Sequence, residues 1–346
     1  MSAAAMRAAF ADQALSCDAL GSPFMGRLMR LFAERDWPDG AVARRLARWE
    51  GDVTSRGQSV PLRIAGALHA RVLQGDSALS AAYPPNAVPD DALWAAVAEA
   101  LVREADRLDT WLDSPPQTNE VRRAAALIPV GHWLAARFGL PLTLWEMGAS
   151  AGLNLMWDRF ALRAGGVRLG PGDAALTLAP DWVGDLPAPA GPRIAARRGV
   201  DLNPLSPRED ALRLTAYLWP DQPHRLALTR AAMAIAGAQV DRGDAGDWLA
   251  DRLAGPAEGT CRMVFSTIAF QYFPARLQAR IAADMDAAGA RATDAAPLAW
   301  FGIEADGSGP GAALTLRLWP GEAAFALGRA DFHGRWIDWR APSPGP

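Results

Sequence analysis

The chain has 346 residues, 50% of them hydrophobic and 21% charged, with 35 basic and 38 acidic side chains and a formal net charge of −3. That is ordinary globular composition, long enough for one large or two modest domains around a substantial core. The slight acidic excess argues against a dedicated nucleic-acid binder, and no nucleic-acid partner is expected.

Every basic residue is arginine. The absence of lysine excludes Schiff-base chemistry and the P-loop lysine. The two cysteines, Cys17 and Cys261, cannot build a zinc site or a disulfide framework, and they fit a reducing compartment. No metal is expected, since no two histidines have ligand spacing.

The opening residues, MSAAAMRAAFADQALSCDAL, read as an amphipathic helix rather than a signal peptide. No uninterrupted apolar stretch reaches the ~18 residues a membrane span needs, so a cytoplasmic chain without a membrane partner is expected. Ser22-Pro23 opens a helix with Phe24, Leu28, Leu31 and Phe32 on one face. Pro61 opens the next, which stops at Gly75. Asp90-Asp91 opens a long helix through Leu112, ended by Ser114-Pro115-Pro116. Thr118 or Asn119 caps another that ends at Gly139. His69 and His132, on apolar helices, read as core or interface histidines. Residues 1–140 are thus expected to form an all-helical domain, a possible lid.

The pattern changes at Pro141. LTLWEM reads as a buried strand. LNLMWDRFAL reads as a helix, and the glycine turns at Gly165-Gly166 and Pro171-Gly172 suggest a hairpin insertion near 163–195. RRGVDL, GAQVDRGDA and CRMVFSTIAF read as the next strands. Helical runs at Pro207–Trp219, Gln222–Ala238, DWLADRLAG and PARLQARIAADMDAAGA separate or follow them. PLAWFGIEA, ALTLRLWP and WIDW supply three more strands, the last two antiparallel. Strands alternating with helices imply a mostly parallel sheet over 141–346 with helices on both faces.

The segment EMGASAGLNL, from Glu146 to Leu155, carries two competing chemistries. In one, Glu146, Gly148, Ala149, Ser150 and Gly152 form a nucleotide-binding turn, where glycines admit the ligand to the backbone. This pattern resembles the first motif of S-adenosylmethionine-dependent methyltransferases, with Ser150 in place of the middle glycine. In the other, GASAG is a nucleophile elbow with Ser150 as nucleophile, His333 as base and an acid such as Asp306 between them. The strands that should precede such an elbow, and an oxyanion segment, are missing. A tight turn without a ligand is the third possibility.

Residues on later strand ends extend the first reading. Asp201 ends the second strand, where an acid can hydrogen-bond ribose hydroxyls. Asp244, followed by Ala245, ends the third, where an acid meets the adenine amine in methyltransferases. Ser266 ends the fourth. Asp201 and Asp244 also fit turn or helix caps. Asn119 and Glu120 lie before the domain junction and either cap a helix or cover the site. With Ser266 and His333 they are the catalytic candidates.

Several pieces resemble one family from end to end. They are QTNEV at 117–121, EMGASAGLNL with Trp157-Asp158-Arg159, GVDLNPL at 199–205 and LWPDQ at 218–222. Gly243-Asp244-Ala245, Glu304 and His333-Gly334-x-Trp336 complete the set. Together they look like the bacterial domain-of-unknown-function family 2332, in which the fourth strand often ends in His-Ser; here Phe265-Ser266 stands instead. The expected architecture is therefore α/β, a Rossmann-like S-adenosylmethionine-dependent methyltransferase-type sheet with an N-terminal all-helical domain. The expected activity is methyl transfer from S-adenosylmethionine to a small-molecule substrate. A non-catalytic ligand-binding protein on the same fold, or a serine hydrolase using Ser150, are the alternatives.

Overall fold

The computed structural model describes residues 3–255 and 258–344. Helix α1 (Ala3–Ala19) turns into α2 (Pro23–Glu34) as the Ser22-Pro23 pair requires. Ser22 Oγ accepts from the Met25 amide at 3.3 Å, one of the orphan amides of the first turn. The apolar face of α2 is buried, and Phe10 of α1 stacks on Phe32 at 4.8 Å. Then come α3 (Ala41–Ala47), α4 (Val60–Leu73), α5 (Ser77–Ala82), α6 (Asp90–Arg103) and α7 (Ala105–Leu112). The single helix expected from Asp90 to Leu112 is therefore two. It breaks at Glu104 (φ −104°, ψ 20°), whose carboxylate is drawn to Arg71 Nε of α4 at 3.0 Å.

The chain divides into two units, Met1–Thr118 with Arg208–Ala227, and Asn119–Pro207 with Leu228–Pro346. This division falls at residue 118 where the sequence suggests 140, and each unit is discontinuous in sequence. Packing explains both changes. Residues 208–227 return to the helices: the Trp111 indole donates to Tyr217 Oη at 3.0 Å, and the Tyr217 ring fills the space left by Gly66. His69 Nδ1 lies 3.0 Å from the Ala216 carbonyl, a buried histidine with a partner.

The helix after residue 118 belongs with the sheet. It is α8 (Ala124–Phe138), ended by Gly139 at φ +65°, and its Gly131 sits under the Trp157 ring. His132 Nδ1 accepts from the Ala190 amide at 3.0 Å, and burial lowers its pKa to about 4. Strand β1 (Leu142–Met147) follows. LNLMWDRFAL is not an α-helix: Asn154–Arg159 is a 3-10 turn, and the chain then extends as β2 (Ala161–Ala164). Pairing overrides helix propensity there. Strand β2 runs antiparallel to β3 (Val167–Leu169) and parallel to β4 (Thr177–Leu178), while Arg197 grips Asp158 with two bonds of 2.6 and 3.0 Å.

The remaining elements are β5 (Asp181–Val183), β6 (Ile194–Asp201), α9 (Ala211–Ala216), α10 (Pro223–Ala234), β7 (Gln239–Arg242) and α11 (Ala245–Leu253). After them come β8 (Cys261–Thr267), α12 (Ala275–Gly289), β9 (Leu298–Glu304), β10 (Ala312–Trp319), β11 (Ala323–Ala330) and β12 (Trp336–Trp339). The large sheet has the order β5-β12-β11-β10-β9-β8-β1-β6-β7. Strands β7, β6, β1, β8 and β9 are mutually parallel, and β9, β10, β11 and β12 alternate in direction. The expected pairing of ALTLRLWP with WIDW is corrected: both flank β11. That strand, AAFALGRA, has no β-branched residue to announce it.

Against one face of the sheet, Met147, Val264, Leu249, Ile281, Met285 and Trp319 form a continuous apolar core. Among the described residues no helix is long and apolar enough to cross a membrane.

Gly131 tests the packing of α8. A Cβ there would lie 2.0 Å from the Trp157 ring, whereas one on Gly172 meets nothing. Gly131→Ala is expected to cost about 1–3 kcal/mol by overpacking, with Gly172→Ala near zero, read from urea unfolding midpoints.

Candidate functional site

The parallel strands all end on one edge, and the strand order reverses between β1 and β8. Such switch points at carboxyl ends are where open α/β sheets bind ligands. What happens at the end of β1 is dictated by small residues. Gly148, Ser150 and Gly152 adopt φ of +69°, +53° and +68°, the left-handed region that glycine enters without strain and serine does not. A Cβ on Gly148 would come within 2.5 Å of Ala269, and one on Gly199 within 2.5 Å of Ala149. The loop thus turns tightly against its neighbours.

Its amides are used internally. Gly148 and Ala149 both donate to the Val200 carbonyl, at 2.9 and 3.0 Å. Ser150 donates to Asp201 Oδ2 at 2.9 Å, Gly152 to the Ala149 carbonyl at 2.7 Å, and Leu153 to Asn119 Oδ1 at 2.9 Å. The Ser150 carbonyl accepts from Leu205 at 3.1 Å. The element that follows is the 3-10 turn at Asn154–Arg159, so the loop does not lead into an α-helix N-terminus.

Buried oxygens gather beside this loop. Glu146, opposite Gly199 on β6 and Phe265 on β8, is 1% exposed, and its Oε2 has no hydrogen-bond partner. Burial, then the negative charge of Asp201, hold its carboxyl well above the ordinary 4.5; the Arg123 guanidinium pulls the other way. Ser150 Oγ and Asn154 Oδ1 are likewise buried without partners. Three such atoms thus lie on one short segment, Glu146 to Asn154.

Asp201 divides its carboxylate, Oδ2 to Ser150 and Oδ1 to its own turn through the Asn203 amide at 2.8 Å. Asp244 caps α11, Oδ1 accepting from Gly246 and Asp247 at 2.8 and 3.1 Å, and Ala245 is buried in the core beneath. Ser266 is buried at the end of β8 opposite Gly302.

Asn119 and Glu120 are buried, at 5% and 1% exposure, and serve the scaffold. The expected cap is corrected: Glu120 takes it, Oε1 accepting from the Arg122 amide at 3.1 Å, because Asn119 is turned toward Leu153. Thr118 lies in the other unit. His333 sits in the β11–β12 turn, its amide on Asp331 Oδ1 at 3.0 Å. The serine-hydrolase constellation is not assembled: Ser150 Oγ meets no imidazole, and the proposed acid Asp306 is paired with Arg329 at 2.9 Å.

Glu304, at the end of β9, has no assigned role in the sequence reading beyond its motif. Its carboxylate accepts from three successive amides, Ala269, Phe270 and Gln271, at 3.1 to 3.3 Å. It thereby fixes the loop after β8. Burial still raises its pKa, opposed by these bonds and by the Ser266 hydroxyl. Its position at the end of the PLAWFGIEA run was the available signal. Among the described residues no group of three or more His, Cys, Asp or Glu could hold a metal ion.

The sheet and its edge define an α/β protein with a large mixed sheet. Over residues 7–339 the chain matches the family described as "Uncharacterized protein conserved in bacteria (DUF2332)", and it belongs to that family. No curated protein and no solved structure matches it.

The raised pKa of Glu146 has a sign that can be checked. Above 4.5 and up to its higher folded value, the native state holds a proton that the unfolded chain has released. Stability therefore falls as pH rises through that window. Glu146→Gln removes the effect, so the variant should gain on wild type as pH rises above 4.5 in urea unfolding. A pH-independent difference would contradict it.

Proposed function

We propose that this edge binds S-adenosylmethionine and that the protein transfers its methyl group to a small molecule. The order β7-β6-β1-β8-β9 is the Rossmann-like order on which such cofactors sit. The observation that carries the choice of ligand is the fate of the loop amides. Those of Gly148, Ala149, Ser150, Gly152 and Leu153 are all spent within the protein. A dinucleotide's pyrophosphate would need such amides free. A ligand without phosphate and with positive charge suits a loop of committed amides beside a buried carboxyl with an unpartnered oxygen.

In this reading Glu146 gives up its proton on meeting the ammonium or sulfonium charge of the methionine part. The small residues from Gly148 to Gly152 let that part lie against the backbone. Asp201 has lone pairs left for the ribose hydroxyls, and Asp244 accepts from the adenine amine through the oxygen not used in its cap. Ser266 lines the adjoining strand end. Bound S-adenosylmethionine supplies a methyl whose bond to sulfur breaks as the acceptor's lone pair forms the new one. The protein then has mainly to hold the acceptor in line.

A second reading, ligand binding without turnover, is favoured by one observation. The catalytic candidates Asn119, Glu120 and Ser266 are buried, and the first two are already bonded to the scaffold.

Calorimetric titration with S-adenosylmethionine and S-adenosylhomocysteine tests the proposal. Both should bind wild type saturably. Asp244→Asn keeps a good cap, since asparagine caps as well as aspartate, but turns an amide toward the adenine amine. Affinity should fall about tenfold or more, the worth of one hydrogen bond to a charged group, with the circular dichroism unchanged. No binding by folded wild type overturns the proposal, and binding without transfer of labelled methyl selects the second reading.

A further inference from the structure

The helical unit carries an open pocket of about 470 Å³ lined by Arg44, Arg45, Arg48, Trp49, Glu50 and Gln58. Most of its wall is locked. The guanidinium groups of Arg45 and Arg63 both lie over the buried Trp49 ring, 5.1 and 5.3 Å from its centroid. Its indole donates to Gln58 Oε1 at 2.9 Å, and Gln58 Nε2 donates to the Glu50 carbonyl at 3.0 Å. Arg45 is paired with Asp109 and Asp113, at 3.1 and 2.6 Å. Arg63 donates to the carbonyls of Gln58 and Leu112, each at 2.8 Å. Gly51, at φ +93°, is needed because a Cβ there would meet Gln58 Nε2 at 2.3 Å.

Arg44 and Arg48 differ from this wall. Both are exposed, they stand four residues apart at the end of α3, and among the described residues neither meets a carboxylate. Like charges at that spacing repel, and the local balance does not offset them. Asp109 and Asp113 are both taken by Arg45, which leaves Glu50 as the one acid in the pocket lining beside Arg44 and Arg48.

We propose that this pocket binds a small anion bearing at least two carboxylate or phosphate groups. Arg44 and Arg48 each present a planar fork that matches such a group with two parallel hydrogen bonds. Arg45, held by its acids and by Trp49, is the fixed wall against which the ligand rests. The volume lies in the range of ligand pockets, ~300–1,000 Å³. The site stands on the helical unit's own residues and is independent of what the sheet edge binds.

Titration of the full chain with citrate and with pyrophosphate tests it. At least one should bind saturably, and raising salt from about 0.05 to about 0.5 M should weaken it. The double substitution Arg44→Gln, Arg48→Gln should weaken binding about tenfold or more with unchanged circular dichroism, as both side chains are exposed. Glu50→Gln should tighten it. Preference for citrate assigns a carboxylate ligand, and preference for pyrophosphate a phosphate ligand. Binding of neither probe, or binding that survives the double substitution, overturns the proposal.

Discussion

The two oxygens of Asp201 hold together the end of β6 and the loop that leaves β1. One takes the Ser150 amide and the other the Asn203 amide, while the preceding carbonyl, of Val200, takes Gly148 and Ala149. A hydrogen bond to a charged acceptor contributes roughly 1.5–3 kcal/mol, about twice that of a neutral pair. That is enough to hold Ser150 at a positive φ that a residue with a Cβ resists. Every further property of the edge follows from this tie. The loop is tight, so its neighbours must be small; its amides are committed, so it is no anion hole; and its side-chain oxygens are pressed inward without partners.

The edge holds acids in two different ways. Glu146 has burial and the charge of Asp201 against it and the Arg123 guanidinium in its favour, and the balance favours the neutral form. Asp241 on β7 is bonded to Arg198 and Arg252 at 2.7 and 2.8 Å and to the Trp248 indole at 2.7 Å, and its pKa drops to about 2. The contrast separates an acid held as its anion by hydrogen-bonded guanidinium groups from one whose surroundings favour the neutral form.

Most of the architecture was legible where local chemistry and tertiary structure agree. Ser22-Pro23, Gly139, LTLWEM and CRMVFST each carry a cap, a stop or a dense apolar run, and each stands where those signals put it. The failures share a cause. LNLMWDRFAL has helical composition but is claimed by pairing with β3 and β4, and the alanine-rich β11 is a strand because β10 and β12 flank it. Likewise no local signal tells α8 to pack on Trp157 or residues 208–227 to rejoin the first helices. At the candidate site, residue types were legible and partners were not. Asn119, Asp201 and Asp244 were visible as polar residues at turns. Which oxygen each would lend to which amide depended on segments 34 to 51 residues away for the first two, and on Asp244's own helix for the third.

The loop after β8 has a geometry usually associated with a visiting anion, three successive amides converging on one point. Here the visitor is Glu304, tethered through the chain. Because it cannot diffuse away, its effective concentration at the amides is fixed by the fold rather than by the medium. Phosphate or chloride would have to compete with an intramolecular ligand. The floor of the neighbouring strand end therefore keeps one shape across ionic conditions that would remodel a loop waiting for a free ion.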